Sequence, residues 1–332
     1  MQQKKMSRRE FLRKSLIAGA AGAVALHAKP SHASPNTQKK YAMMIDLTKC
    51  TGCESCVLAC REENRHKFPE PVHPIPVNWP TGKYDDWSDK REVRDRLTPY
   101  NWTIVQTVEI LRNGQIEKIN IPRHCMHCDN PPCANLCPFG ANTQTPEGAV
   151  VIDDSSCLGG AKCQAVCPWG IPQRQGGVGL YMKIAPGLLG GGVMYKCDFC
   201  HHRLTAGKVP ACVESCPNGA ITFGTKEEII KLARERAKEI NGYIYGDKEN
   251  GGTSVLYVSH IPFSEINEAL IKQGAGDKKS GKPAMPTFTD NPSDAPEHLV
   301  KSLALAPLAG LLTAGITAYK TFTREGSKHE ND

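Results

Sequence analysis

The chain carries fifteen cysteines, and their spacing constrains its fold more than any other feature. They fall in four groups. The first, CTGCESCVLAC, holds Cys50, Cys53, Cys56 and Cys60. The second, CMHCDNPPCANLCP, holds Cys125, Cys128, Cys133 and Cys137. The fourth, CDFCHHRLTAGKVPACVESCP, holds Cys197, Cys200, Cys212 and Cys216. The third, CLGGAKCQAVCP, has only Cys157, Cys163 and Cys167, with Gly160 where the spacing asks for a second cysteine. The total is odd, and cysteines three or four positions apart face a shared centre instead of bridging distant loops. At 332 residues the chain can also bury a core without disulfide staples. The groups read as metal ligands.

The run C-x2-C-x2-C-x3-C-P is the pattern that binds iron–sulfur clusters in bacterial ferredoxins. Three cysteines two residues apart wrap a short loop around one cubane. The fourth, at the start of a helix, faces away and reaches a second cluster, so clusters come in pairs. Pro138, Pro168 and Pro217 follow the last cysteine of three groups, and Arg61 takes that place in the first. Zinc knuckles share the C-x2-C pairs but need no fourth cysteine at x3 followed by proline. Cys197 to His201, CDFCH, also matches a c-type haem attachment, yet Cys212 and Cys216 complete a four-cysteine group there. His124, His127 and His202 read as polar neighbours of the clusters, not as ligands.

The net charge of +7 is concentrated at the N-terminus. Residues 1–33 carry seven basic side chains against Glu10, a balance of +6, which leaves about +1 for the rest and no basic face for nucleic acid. SRREFLRK (Ser7 to Lys14), an uncharged apolar stretch and then Ser31–Ala33 have the three parts of an export signal. Arg8 and Arg9, followed by Phe11, Leu12 and Lys14, resemble a twin-arginine signal, with cleavage expected after Ala33, or alternatively after Ala28. That route moves folded, cofactor-loaded proteins. The thiolates would then be occupied by metal before meeting an oxidising compartment.

Elsewhere the chain offers fewer signals. The proline- and tryptophan-rich stretch 72–87 reads as a surface insertion. Residues 102–121 are two alternating apolar runs joined by Asn113-Gly114, which predicts a β-hairpin. Short strands are expected at AITFG and SVLYVSHI, with a helix capped by Thr225 between them. The polar segment 272–297, rich in Gly and Pro, reads as a linker. Residues 303–319 contain no charge and suit a short membrane anchor, with Lys320, Arg324 and Lys328 on the cytoplasmic side. The glycine-rich stretch from Pro186 reads as a flexible insertion or a docking loop.

The four groups, with their x4 gap in the second, x11 gap in the fourth and insertion after the first, resemble the four-cluster iron–sulfur subunits of respiratory oxidoreductases. That family includes the electron-transfer subunits of dimethyl sulfoxide reductase, formate dehydrogenase and nitrate reductase. The export signal and C-terminal anchor make the layout look most like the subunit of membrane-bound uptake nickel–iron hydrogenases. The resemblance implies an α+β fold of two nested ferredoxin-like two-cluster modules, a β-hairpin insertion and a C-terminal transmembrane helix. The outer module would span 41–121 and 195–265, the inner one 122–194, and the anchor 299–320. It further implies 4Fe-4S clusters on Cys50, Cys53, Cys56 and Cys216, on Cys60, Cys197, Cys200 and Cys212, and on Cys125, Cys128, Cys133 and Cys167.

Cys137, Cys157 and Cys163 would then hold a fourth cluster, of the 3Fe-4S type because Gly160 supplies no ligand. The alternative is four 4Fe-4S clusters. The expected function is a relay of electrons between a catalytic subunit (hydrogenase or molybdopterin enzyme) and a quinone-linked or cytochrome membrane subunit. The expected location is the periplasmic face of the inner membrane. No catalytic residue is expected. A soluble polyferredoxin, or an enzyme using an open iron at Gly160, are the other two readings.

Overall fold

Strand β1 (Tyr41–Asp46) leads into the first cysteine group, whose second half winds into helix α1 (Ser55–Asn64). An irregular stretch then reaches the hairpin of β2 (Ile104–Arg112) and β3 (Gln115–Arg123). Its turn residues Asn113 and Gly114 have φ of 50° and 77°, the positive values that a two-residue hairpin turn needs. The second group carries the one-turn helix α2 (Pro132–Asn135), followed by the ribbon of β4 (Asn142–Gln144) and β5 (Val150–Ile152). Helix α3 (Lys162–Val166) belongs to the third group. After it come β6 (Gln173–Gln175), α4 (Tyr181–Ile184) and β7 (Val193–Tyr195), with β6 and β7 paired. The fourth group contains α5 (His201–Thr205) and α6 (Ala211–Glu214). The chain continues through β8 (Ile221–Thr225), α7 (Lys226–Glu239), β9 (Tyr243–Tyr245), β10 (Val255–Ser259) and α8 (Phe263–Lys272). This computed structural model describes residues 39–77, 82–184, 186, 191–288 and 290–294.

The main sheet has the order β8-β1-β10-β9, with β1 parallel to β10 and the other neighbours antiparallel. Successive side chains on a strand point to opposite faces, so β1 serves two cores. Ala42 and Met44 pack with Ile229, Ala233 and Ala237 of α7, and Met43 and Ile45 join the core that contains Cys56, Cys125 and Cys212. Four-residue spacing along α7 puts its three apolar side chains on one stripe. Arg236 ties the helix to the end of β1, donating from Nε to the fully buried Asp46 carboxylate at 2.7 Å. At the other end Thr225 caps α7. The Glu228 N–H donates to Thr225 Oγ1, and the Thr225 N–H donates to the Glu228 carboxylate.

The hairpin holds the first cysteine loop. Asn120 on β3 donates from Nδ2 to the Cys50 carbonyl at 3.1 Å and accepts from Thr107 Oγ1 across the hairpin. A Cβ on Gly52 would lie 2.7 Å from Asn120 Oδ1, so this contact needs a glycine.

Of the 272–297 segment, expected as a linker, residues 272–288 and 290–294 are described. Its described part is packed against the body. Met285 is fully buried, the Leu97 N–H donates to the Gly281 carbonyl, and buried Arg123 donates from Nη2 to Ala284 O. Gly and Pro content signals irregular backbone, and here that backbone lies on the core because Ala284 and Met285 have apolar surface to cover. The segments expected to be an export signal, 1–33, and an anchor, 299–320, fall outside the described residues. Among the described residues, no helix is long and apolar enough to cross a membrane.

Thr225→Ala removes one half of the capping box. It should lower stability by about 1 kcal/mol, as N-cap losses generally do, which thermal unfolding of the iron-loaded protein would read.

Candidate metal centres

Each group ends with two cysteines one helical turn apart: Cys56 and Cys60 on α1, Cys133 and Cys137 around α2, Cys163 and Cys167 around α3, and Cys212 and Cys216 around α6. Side chains at i and i+4 are neighbours on a helix surface. The x3 spacing thus places two thiols side by side while letting them serve adjacent spaces.

Three such spaces have four thiols. Burial pushes the Cys56 thiol up to about 12, and Cys50, Cys216 and Cys53 are its charged neighbours. The same four cysteines line one cavity. Burial also pushes Cys60 up to about 12, with Cys200 beside it, while Cys212 has Cys200 and Cys60 as neighbours and Cys197 has Cys60 and Cys200. Cys128 is raised by burial and stands among Cys133, Cys125 and Cys167. The fourth space has three thiols. Burial raises Cys163, whose neighbours include Cys157 and Cys137, and Cys157 in turn has Cys137 beside it.

Contacts between spaces put them in a row. Cys212 senses Cys56, Cys197 senses Cys125, and Cys163 senses Cys133. The two ends of the row reach the surface. Cys53 is exposed at one end and Gly160 at the other, whereas Cys128 and Cys200, the second cysteines of the second and fourth groups, are buried.

The third loop keeps the backbone of the first. In the first loop Gly52 and Glu54, two and four residues after Cys50, have φ of 76° and 59°. In the third, Gly159 and Ala161, two and four residues after Cys157, have φ of 67° and 52°. Gly160 itself needs no glycine conformation, and a Cβ there would meet only Phe139, at 3.8 Å. Gly159 is the opposite case. Its Cβ would fall 2.5 Å from the Gly192 carbonyl oxygen, and the Gly191 N–H donates to the Leu158 carbonyl. The end of the glycine-rich stretch therefore closes on the three-thiol loop, a role its composition alone did not reveal.

Polar side chains surround the inner thiols. The Asn250 amide lies against Cys128 and the Asn142 amide against Cys133, and neither amide has any other partner among the described residues. Burying amides in this way costs about 1–3 kcal/mol each unless something accepts their protons. Thiolate sulfurs would. Lys196 is buried and donates to the carbonyls of Val150 and Cys197. Burial opposes its charge, but the neighbouring Cys125, Cys133, Cys197 and Asp198 hold its pKa above the ordinary value.

The three histidines differ. His124 is pushed down to about 4 by burial, His127 is buried within hydrogen-bonding reach of Cys197, and His202 joins Lys67 and Glu63 in a partly exposed ionic network. Sequence reasoning missed Asn142, Asn250 and Lys196, because a lone amide or amine carries no spacing signal. The orphaned amides, the thiol-lined cavity and the buried thiols fit iron–sulfur clusters.

The two glycines of the third loop should respond differently to alanine. Gly159→Ala forces overlap with backbone, which typically costs about 1–3 kcal/mol, and should also lower iron per chain. Gly160→Ala should stay within about 0.5 kcal/mol. Thermal unfolding beside iron analysis compares them.

Comparison with known proteins places these features in a family. Two 4Fe-4S dicluster domain families match the chain, one over residues 49–141 and the other over 116–186 and 188–226. The nitrate-inducible formate dehydrogenase iron-sulfur subunit of Escherichia coli K12 is 34% identical over 228 residues, covering 67% of this chain and 68% of the relative. The hydrogenase-2 operon protein HybA of Escherichia coli O157:H7 is 31% identical over 303 residues, covering 79% and 83%. The formate dehydrogenase iron-sulfur subunit of Haemophilus influenzae is 31% identical over 294 residues, covering 86% and 84%. At these identities, and over these shares of both chains, the chain belongs to the iron–sulfur electron-transfer subunits of respiratory oxidoreductases.

Proposed function

We propose that the fifteen cysteines hold four clusters in a row. Cys50, Cys53, Cys56 and Cys216 would ligate the first, and Cys60, Cys197, Cys200 and Cys212 the second. Cys125, Cys128, Cys133 and Cys167 would ligate the third. Cys137, Cys157 and Cys163 would ligate the fourth, of the 3Fe-4S type. The observation that supports this reading is the neighbourhood of the thiols. Cys50, Cys53 and Cys216 stand by Cys56, Cys60 and Cys200 by Cys212, and Cys125, Cys133 and Cys167 by Cys128. Cys157 and Cys137 stand by Cys163, with Cys133 of the third set also beside it. When bound, the clusters supply one-electron carriage. The chain's part is to fix positions and potentials.

The three-iron assignment rests on Gly160 and on what surrounds it. Glycine has no donor atom. The acidic candidates upstream, Asp153 and Asp154, both precede the loop, and Asp153 accepts from the Ser155 N–H at 3.0 Å and from the Ser155 and Ser156 hydroxyls, which commits its carboxylate to its own turn. The loop keeps its cluster-binding backbone and its surface position. These features suit an end of the row where electrons leave for, or arrive from, a membrane partner.

On this reading the inner module is 122–194, the outer one is 41–121 with 195–265, and Cys53 marks the end facing a catalytic hydrogenase or molybdopterin subunit. Export through the twin-arginine route to the periplasmic face of the membrane, an anchor at 299–320 and a quinone-linked or cytochrome partner complete the proposal. It is supported by the sequence features of both termini and by the family.

Anaerobic EPR of the oxidised protein, with iron quantified alongside, tests the assignment. A near-isotropic signal of about one spin per chain, typical of an oxidised 3Fe-4S centre, is expected, and Gly160→Cys should diminish it while iron per chain rises. A silent oxidised protein with a full complement of iron would overturn the three-iron reading.

A further inference from the structure

His127 lies between Cys125 and Cys128 in the second cysteine group, yet its ring reaches a thiol of the fourth. Its Nδ1 accepts the backbone N–H of Val150 at 2.9 Å. A backbone amide only donates, so Nδ1 carries no proton, the ring is neutral and the proton sits on Nε2. That nitrogen stands 3.6 Å from Cys197 Sγ. The ring has no freedom to turn away. It is fully buried and stacked on Phe199, with centroids 4.4 Å apart at 27°. The Phe199 N–H also donates to Cys197 Sγ, at 3.4 Å. One sulfur therefore receives a donor from its own loop and a second from the loop of another group.

We propose that His127 is a positioning residue that donates its Nε2–H to the Cys197 thiolate, tying the electronic environment of one centre to the loop that wraps the next. This rests on the ligand sets proposed above. Hydrogen bonds to ligand sulfurs are among the levers on cluster potential. A donor offsets negative charge on the sulfur and so favours the more negative, reduced state. The placement gives the effect a purpose. Cys125 of the third thiol set is a charged neighbour of Cys197 in the second, and the His127 ring stands beside that same Cys197 sulfur. Lys196 Nζ donates to the Cys197 carbonyl at 3.0 Å and supports the same residue from its backbone side. If His127 served only to satisfy Val150, the Cys197 sulfur would be indifferent to it.

The test is a reductive EPR titration of the intact, iron-loaded protein. His127→Phe keeps an aromatic ring against Phe199 but has no N–H. One low-potential centre should shift to a more negative potential at unchanged iron per chain, and His127→Gln, which restores an amide donor, should move it back. Unshifted potentials in a fully loaded His127→Phe would overturn the proposal. If that variant fails to load iron, wild-type protein labelled with 15N-histidine decides. A histidine nitrogen coupled to a reduced centre, and altered in His127→Gln, supports the assignment, and absence of any such coupling overturns it. Absence of low-potential 4Fe-4S signals in the wild type would instead overturn the ligand sets themselves.

Discussion

Burying a thiolate removes it from water, and that cost shapes this protein. Most of its cysteines lie where burial holds the thiol above its ordinary pKa, and nearly all of those have other cysteines as charged neighbours. A set of crowded, desolvated thiols is a poor arrangement for the polypeptide alone. It becomes favourable once a cationic centre accepts the sulfurs and the ligands deprotonate. Folding and metal loading are linked by that exchange.

The same constraint explains the topology. A loop of three cysteines can wrap one centre locally, but the fourth ligand must come from a distant part of the chain. Cys216 stands with Cys50, Cys53 and Cys56 because β8, which follows it, runs antiparallel to β1, which precedes them. The main sheet thus joins β1 and β8, distant in sequence, and brings Cys216 beside the first cysteine group. Between them, the ribbons β4–β5 and β6–β7 frame the second and third groups without adding a strand to that sheet.

The third loop shows how far backbone and ligand can be separated. Gly159 and Ala161 keep the left-handed turns that shape the first loop, and Gly192 packs against Gly159 where no side chain would fit. Gly160 has room for a side chain and lacks one. The shape is preserved where packing demands it. The donor is missing where neither space nor backbone strain requires its absence, so a purely structural origin for this glycine has no support.

The cysteine spacing alone identified the chemistry, the four groups and the deficient loop. The Asn113-Gly114 dipeptide announced the hairpin, and Thr225 with Glu228 announced the cap of α7. These are local signals, set by the backbone angles and hydrogen bonds of adjacent residues. Phe263, Ile266 and Leu270 of α8 do stand at helical spacing, whereas strand β1 and the three-residue strands were not legible, since runs so short or so evenly apolar show no clear period. The same holds for the packed 272–294 segment, whose Gly and Pro content describes its backbone but not what it rests on. Only the tertiary structure decided which thiols are neighbours, that Cys53 and Gly160 mark the two surfaces of the row, and that Asn142, Asn250, Lys196 and His127 surround its interior. Those relations arise from long-range pairing, which brings together residues that share no spacing along the chain.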